Sequence, residues 1–92
     1  MFDLHDVKTT EAVFVWSSMD MWLKSGFALI LKYYFDQWKP HILNLPVNAT
    51  RTKIGQLSPG LRYSFLLAAR SPEGAQTSLS PILKVETSKL QQ

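Results

Sequence analysis

The sequence predicts an all-β antiparallel sandwich of about seven short strands, and three observations carry that prediction. Apolar and aromatic residues recur at every second position in several short segments. Proline, glycine and serine clusters separate these segments at short intervals. No stretch carries an apolar stripe at the 3.6-residue period of an amphipathic helix. The composition supports a core: 46% of the 92 residues are hydrophobic and only 18% charged, outside the range of chains that stay disordered. A chain of this length buries about 60–65% of its unfolded surface and reads as one domain, over residues 1–88, with a polar tail or linker at 89–92.

Each element has its own signal. Phe2 to Val7 is a short, mixed opening strand. Glu11 to Trp16 is rich in valine and aromatics and stops at Ser17 and Ser18. Ser25-Gly26 opens the longest apolar run, Phe27 to Phe35. Its alternation puts Phe27, Leu29, Leu31, Tyr33 and Phe35 towards the core, with Ala28, Ile30, Lys32 and Tyr34 on the other face. Residues 36–40 read as a turn. Ile42 to Val47 is a short strand interrupted by Pro46, which suits a sheet edge because proline donates no ladder hydrogen bond. Thr50 to Leu57 alternates Thr50, Thr52 and Ile54 against Arg51 and Lys53. After the Ser58-Pro59-Gly60 turn, Tyr63 to Arg70 puts Tyr63, Phe65, Leu67 and Ala69 on one face. Ser71 to Gly74 is a second turn, polar residues run on to Pro81, and Ile82 to Thr87 closes the domain.

These landmarks together resemble a family. Ala12-x-Phe14-x-Trp16 is similar to a second strand that ends in a core tryptophan. Phe27-x-Leu29-x-Leu31 is similar to a third strand. Ile54-x-x-Leu57-Ser-Pro59-Gly60-Leu-Arg-Tyr63 resembles the Leu-x-Pro-Gly-x-x-Tyr tyrosine corner, and Leu83-x-Val85-x-Thr87 resembles a last strand with its closing threonine. In order and spacing they resemble the fibronectin type III domain over about residues 4 to 88. The resemblance implies an immunoglobulin-like, seven-stranded antiparallel β-sandwich. Its structural core would comprise Trp16, Leu29, Leu31, Leu57, Tyr63, Phe65 and Leu67, with the Tyr63 hydroxyl bonded to backbone near the Leu57–Leu61 turn. Leu61 departs from the pattern, standing where a small polar residue is common, and the proline-rich lead-in of the first strand is missing. No Arg-Gly-Asp tripeptide and no Trp-Ser-x-Trp-Ser box occurs, so neither of those activities carries over.

Catalytic chemistry has no foothold in the sequence. There is no cysteine, hence no disulfide, thiolate nucleophile or cysteine-based zinc site. His5 and His41 are far apart, and Asp3-x-His5-Asp6 reads as a solvated segment rather than a metal site. The four glycines are isolated, so no phosphate loop forms. The expectation is no enzyme, no cofactor and no metal. No run approaches the ~18 apolar residues that span a bilayer, and the first residues do not read as a signal peptide.

A partner surface is expected where the sheets face outward. An apolar centre of Ile30, Leu66, Ala68 and Ile82 would be ringed by Lys32, Tyr34, Arg62, Arg70 and Lys84, the composition of a protein–protein patch. If that centre is exposed, Leu66→Asp is expected to spare the melting curve. Trp22 and Trp38 fall in loops flanking the third strand, where one is expected to cap the core and the other to anchor a contact. Asn48-Ala49-Thr50 fits the N-glycosylation sequon. The net charge of +3 is too mild and too scattered to point to nucleic acid. The expected function is a non-catalytic protein–protein interaction or spacer module of a larger receptor or adhesion protein, extracellular or at the cell surface, its partner another protein or a neighbouring domain. Two alternatives stand beside it: a cytoplasmic scaffold domain that binds a peptide, and a heparin-like polyanion binder.

Overall fold

The computed structural model describes residues 2–18, 23, 25–35 and 40–90. Eight strands follow one another: β1 (Asp3–Val7), β2 (Ala12–Val15), β3 (Ala28–Phe35), β4 (His41–Leu45), β5 (Arg51–Ile54), β6 (Arg62–Arg70), β7 (Gln76–Ser78) and β8 (Leu83–Glu86). One sheet has the order β1-β2-β5. The other runs β4-β3-β6-β7, with β8 also on β6. Every pairing is antiparallel. The turn expected at 36–40 falls largely outside the described residues, as do Trp22 and Trp38.

Seven strands were expected, and the eighth arises because the last one is split. Both β7 and β8 pair with β6, but Ser78 faces Ala68 whereas Leu83 faces Phe65. Residues 79–82 therefore stand opposite Leu66 and Leu67, a longer stretch against a shorter one. Pro81 has no N–H to give. The Leu67 carbonyl accepts the Leu79 N–H at 2.8 Å, and the Leu67 N–H donates to the Ser80 hydroxyl at 3.0 Å. A side-chain oxygen thus replaces the missing backbone acceptor, and β6 stays satisfied across the break. The sequence hid β7 because Gln76–Ser78 is polar and wholly exposed.

The core lies between the sheets, with Phe14 against Phe65 at its centre, ring centroids 4.4 Å apart. Phe2 stacks on Phe14 at 5.1 Å and approaches Trp16 at 6.0 Å. Trp16, Leu29, Leu31, Leu57, Tyr63, Phe65 and Leu67 are all buried in this one cluster. The predicted inward set of β3 does not hold to its end: Phe35 is 41% exposed. The fourth strand also differs from the expectation. It begins at His41 and ends at Leu45, so Pro46 follows it rather than interrupting it. Its place at the edge of its sheet is as read.

One corner is closed by side chains. The Tyr63 hydroxyl accepts the Ser58 N–H at 2.8 Å. The Thr87 hydroxyl donates to the Ser58 carbonyl at 2.6 Å and accepts the Leu61 N–H at 3.1 Å. Gly60, between them, has φ +68°, a region costly for a residue with a Cβ. Thr87 is the one buried polar residue among the described residues, and it ties the last strand to this turn. Thr87→Val keeps the shape and strips the hydroxyl, leaving the Ser58 carbonyl and the Leu61 amide without that partner. The expected cost is about 1–3 kcal/mol, read as a lower denaturation midpoint with an unchanged slope.

Candidate functional site

The register of β3, β4, β6, β7 and β8 defines the outward face of the larger sheet. One cross-strand row is Tyr34, Ser64, Lys84, and the next holds Ile42, Lys32 and Leu66. The following rows are Asn44, Ile30, Ala68, Ser78 and then Ala28, Arg70, Gln76. At the other end Arg62 faces Glu86. Seven of the eight expected face residues, Ile30, Lys32, Tyr34, Arg62, Leu66, Arg70 and Lys84, therefore share this surface.

Two corrections follow. The apolar centre is not exposed: Ile30 is 0% and Leu66 8% accessible, and with Ala68 they form a second buried cluster against which Tyr34 packs. The physical reason is the register, which sets Ile30 beside Ala68 and Lys32 beside Leu66, so neighbouring side chains stand over the aliphatic seam. Ile82 is not part of this centre. It lies in the break between β7 and β8, is 53% exposed, and lines a groove of about 400 Å³ with Phe2, Asp3, Leu79, Ser80, Pro81 and Leu83.

What the face offers to solvent is thus a charged rim over a sealed seam. Lys32 and Lys84 flank the Ser64–Leu66 stretch, and neither has an ion-pair partner among the described residues. Arg62 meets Glu86 at 3.6 Å, with both side chains largely in water, a pair of small energetic weight. Arg70 stands about 13 Å further along β6 from Leu66. Ile42, 40% exposed beside Lys32, is an accessible apolar contact the sequence reading left out. Its signal was its alternation with Leu43, visible only once β4 is known to pair with β3.

The opposite sheet is balanced in charge. Val15 lies between Asp3 and Arg51, and Val13 between Asp6 and Lys53. Lys53 also reaches Glu11 at 3.7 Å. The β1–β2 register shifts between Leu4 and Asp6. Among the described residues, no three histidine or acidic side chains converge as a metal site would require. His41 stacks on Tyr33, centroids 5.0 Å apart. Asn48 is exposed, in a turn closed by the Ala49 N–H on the Pro46 carbonyl at 3.0 Å.

By sequence, no protein-family model matches the chain and no curated protein does. By structure the likeness is extensive. The FN1–FN3 domains of chicken CNTN1 superpose with a TM-score of 0.75 at 16% identity, over 96% of this chain and 31% of that one. The chain thus spans about a third of that structure. A fibronectin type III domain of human contactin 1 gives a TM-score of 0.78 at 14% identity, over 99% of this chain and 76% of that one. The fibronectin type III domain of human fibronectin type III domain containing protein 3 gives 0.67 at 17%, over 96% and 82%. Identities this low speak for architecture, and the two antiparallel sheets, the buried Trp16 and the Tyr63 corner agree with it: the chain has the fibronectin type III fold.

Proposed function

We propose that the chain is a non-catalytic interaction module of a larger, cell-surface receptor or adhesion protein, and that it meets an acidic protein surface through the outward face of its larger sheet. The carrying observation is the placement of Lys32 and Lys84 around Tyr34 on one face, without ion-pair partners among the described residues. Arg62 and Arg70 extend the same positive surface. Aromatic and arginine side chains on a rigid sheet are what protein recognition uses most, and unpaired cations steer an acidic partner during encounter. The extracellular placement is supported by Asn48, whose sequon lies on an exposed turn.

The same cations support a second reading, a sulfated glycan such as heparin. One charge-reversal variant tests both. Lys32→Glu/Lys84→Glu, at one half-buried and one exposed position without ion pairs among the described residues, is expected to melt within a few degrees of the wild type. On an array of cell-surface ectodomains it is expected to lose the acidic protein partner, about tenfold or more in affinity. Retention on heparin by the wild type, with no protein captured, selects the glycan reading. Identical binding of wild type and variant to every partner contradicts the proposed face.

A further inference from the structure

The two sheets end in four edges, and three of them are defended against strand addition. β1 carries Asp3 and Asp6 and a register shift. β5 carries Arg51 and Lys53. The β7–β8 edge is broken around Pro81 and carries Lys84 and Glu86. Charges, prolines and bulges are the usual means by which proteins keep an edge from pairing with another chain. The fourth edge is β4, His-Ile-Leu-Asn-Leu, with no charged residue and a regular register against β3. Among the described residues no strand pairs with its outer side.

The flanking residues say what fits there. Pro40 and Pro46 bracket the strand, and both lie three positions from Leu43. Prolines cannot donate to a ladder, so the segment able to pair is limited to 41–45. An antiparallel copy of the same strand, centred on Leu43, sets His41 against Leu45, Ile42 against Asn44 and each Pro40 against the other copy's Pro46. A shift of register would bring a proline into the ladder. The centred register also places no charge against a like charge. Odd-numbered residues meet odd-numbered ones, so the inward side of one sheet continues into the inward side of the other.

We propose that β4 is a homodimer edge, where a second copy of this chain adds its own β4 across a two-fold axis at Leu43. The interface is isologous, as a two-fold requires, and short. An association on the order of 100 µM is expected from so small a contact.

Sedimentation equilibrium of the 92-residue chain tests the state, and crosslinking tests the register. The average mass is expected to rise from monomer towards dimer as concentration passes about 100 µM. Ile42→Lys/Asn44→Lys, both at exposed positions, sets lysine against lysine twice and is expected to weaken the dimer about tenfold, with only a small fall in melting temperature from the new cation opposite Lys32. The chain has no native cysteine. A mixture of the Ile42→Cys and Asn44→Cys chains is therefore expected to form a disulfide heterodimer under mild oxidation. Either chain alone is not, because like positions lie diagonally across the axis, beyond disulfide reach. A monomer up to about 1 mM, a dimer indifferent to the lysine variant, or crosslinking of each cysteine chain alone as readily as the mixture overturns the proposal. So does a foreign extended peptide held along β4 while the chain itself stays monomeric.

Discussion

Trp16→Ala is expected to destabilise the domain by about 3–5 kcal/mol, against a total of about 5–14 kcal/mol for a chain of this size. Trp16 is buried beside Phe2, and Phe2 in turn stacks on Phe14. Removing the indole leaves a cavity at one end of a continuous row of rings. The row cannot close over it without moving Phe2, whose strand enters the fold there. Trp16→Phe provides the contrast. The indole Nε1–H is buried with no hydrogen-bond partner among the described residues, so replacing it by phenylalanine removes an unmet donor along with some volume. The phenylalanine variant is expected to cost under about 2 kcal/mol. Equal losses for the two variants would mean that the indole nitrogen has a partner, or that the ring is not packed as described.

Leu66→Asp is expected to cost about 3–5 kcal/mol, the lost burial of the leucine plus the penalty of a carboxylate in a sealed apolar site, which Lys32 across the β3–β6 pair offsets only in part. That reverses the expectation drawn from the sequence, which placed Leu66 outside the core and therefore in water. Leu66 is outside the core, but not in water: it closes over Ile30 and Ala68 with Tyr34 against them. For a domain of about 90 residues the melting temperature is expected to fall by about 12 °C or more. Leu66→Ala, which leaves a cavity without a charge, is expected to lie between wild type and the aspartate variant.

These two residues mark what the sequence could and could not show. Alternation alone separated Leu29 and Leu31 from Ile30 and Lys32, and Leu67 from Leu66, because successive side chains of a strand point to opposite faces. The tyrosine corner was legible through the family resemblance that Pro59, Gly60 and Tyr63 carry, and Gly60 at φ +68° with the Tyr63 hydroxyl on the Ser58 N–H agrees with it. Burial on the outward face was not legible. It depends on which side chains stand next to one another across strands, and a single sequence does not contain the register. For the same reason Ile42 was overlooked, and Ile82 was assigned to a row from which the break after β7 removes it. Strand β7 escaped notice because its pairing with Ala68–Arg70 is made by backbone, while Gln76, Thr77 and Ser78 present only polar side chains to solvent. The cations of the candidate site were recognisable as outward-facing residues. Their gathering on one face became visible only when Ser64 proved to stand between Tyr34 and Lys84.

The central claim is that the outward face has two parts, an aliphatic seam that belongs to the fold and a cationic rim that is free of it. The most direct measurement is thermal melting of Leu66→Asp beside Lys32→Glu/Lys84→Glu, variants at neighbouring sites: Lys32 faces Leu66 across β3–β6, and Lys84 faces Ser64 across β6–β8. The expected results are a fall of about 12 °C or more for the first and a curve within a few degrees of wild type for the second. A stable Leu66→Asp domain, or a charge-reversed rim that melts with the seam, would contradict the claim.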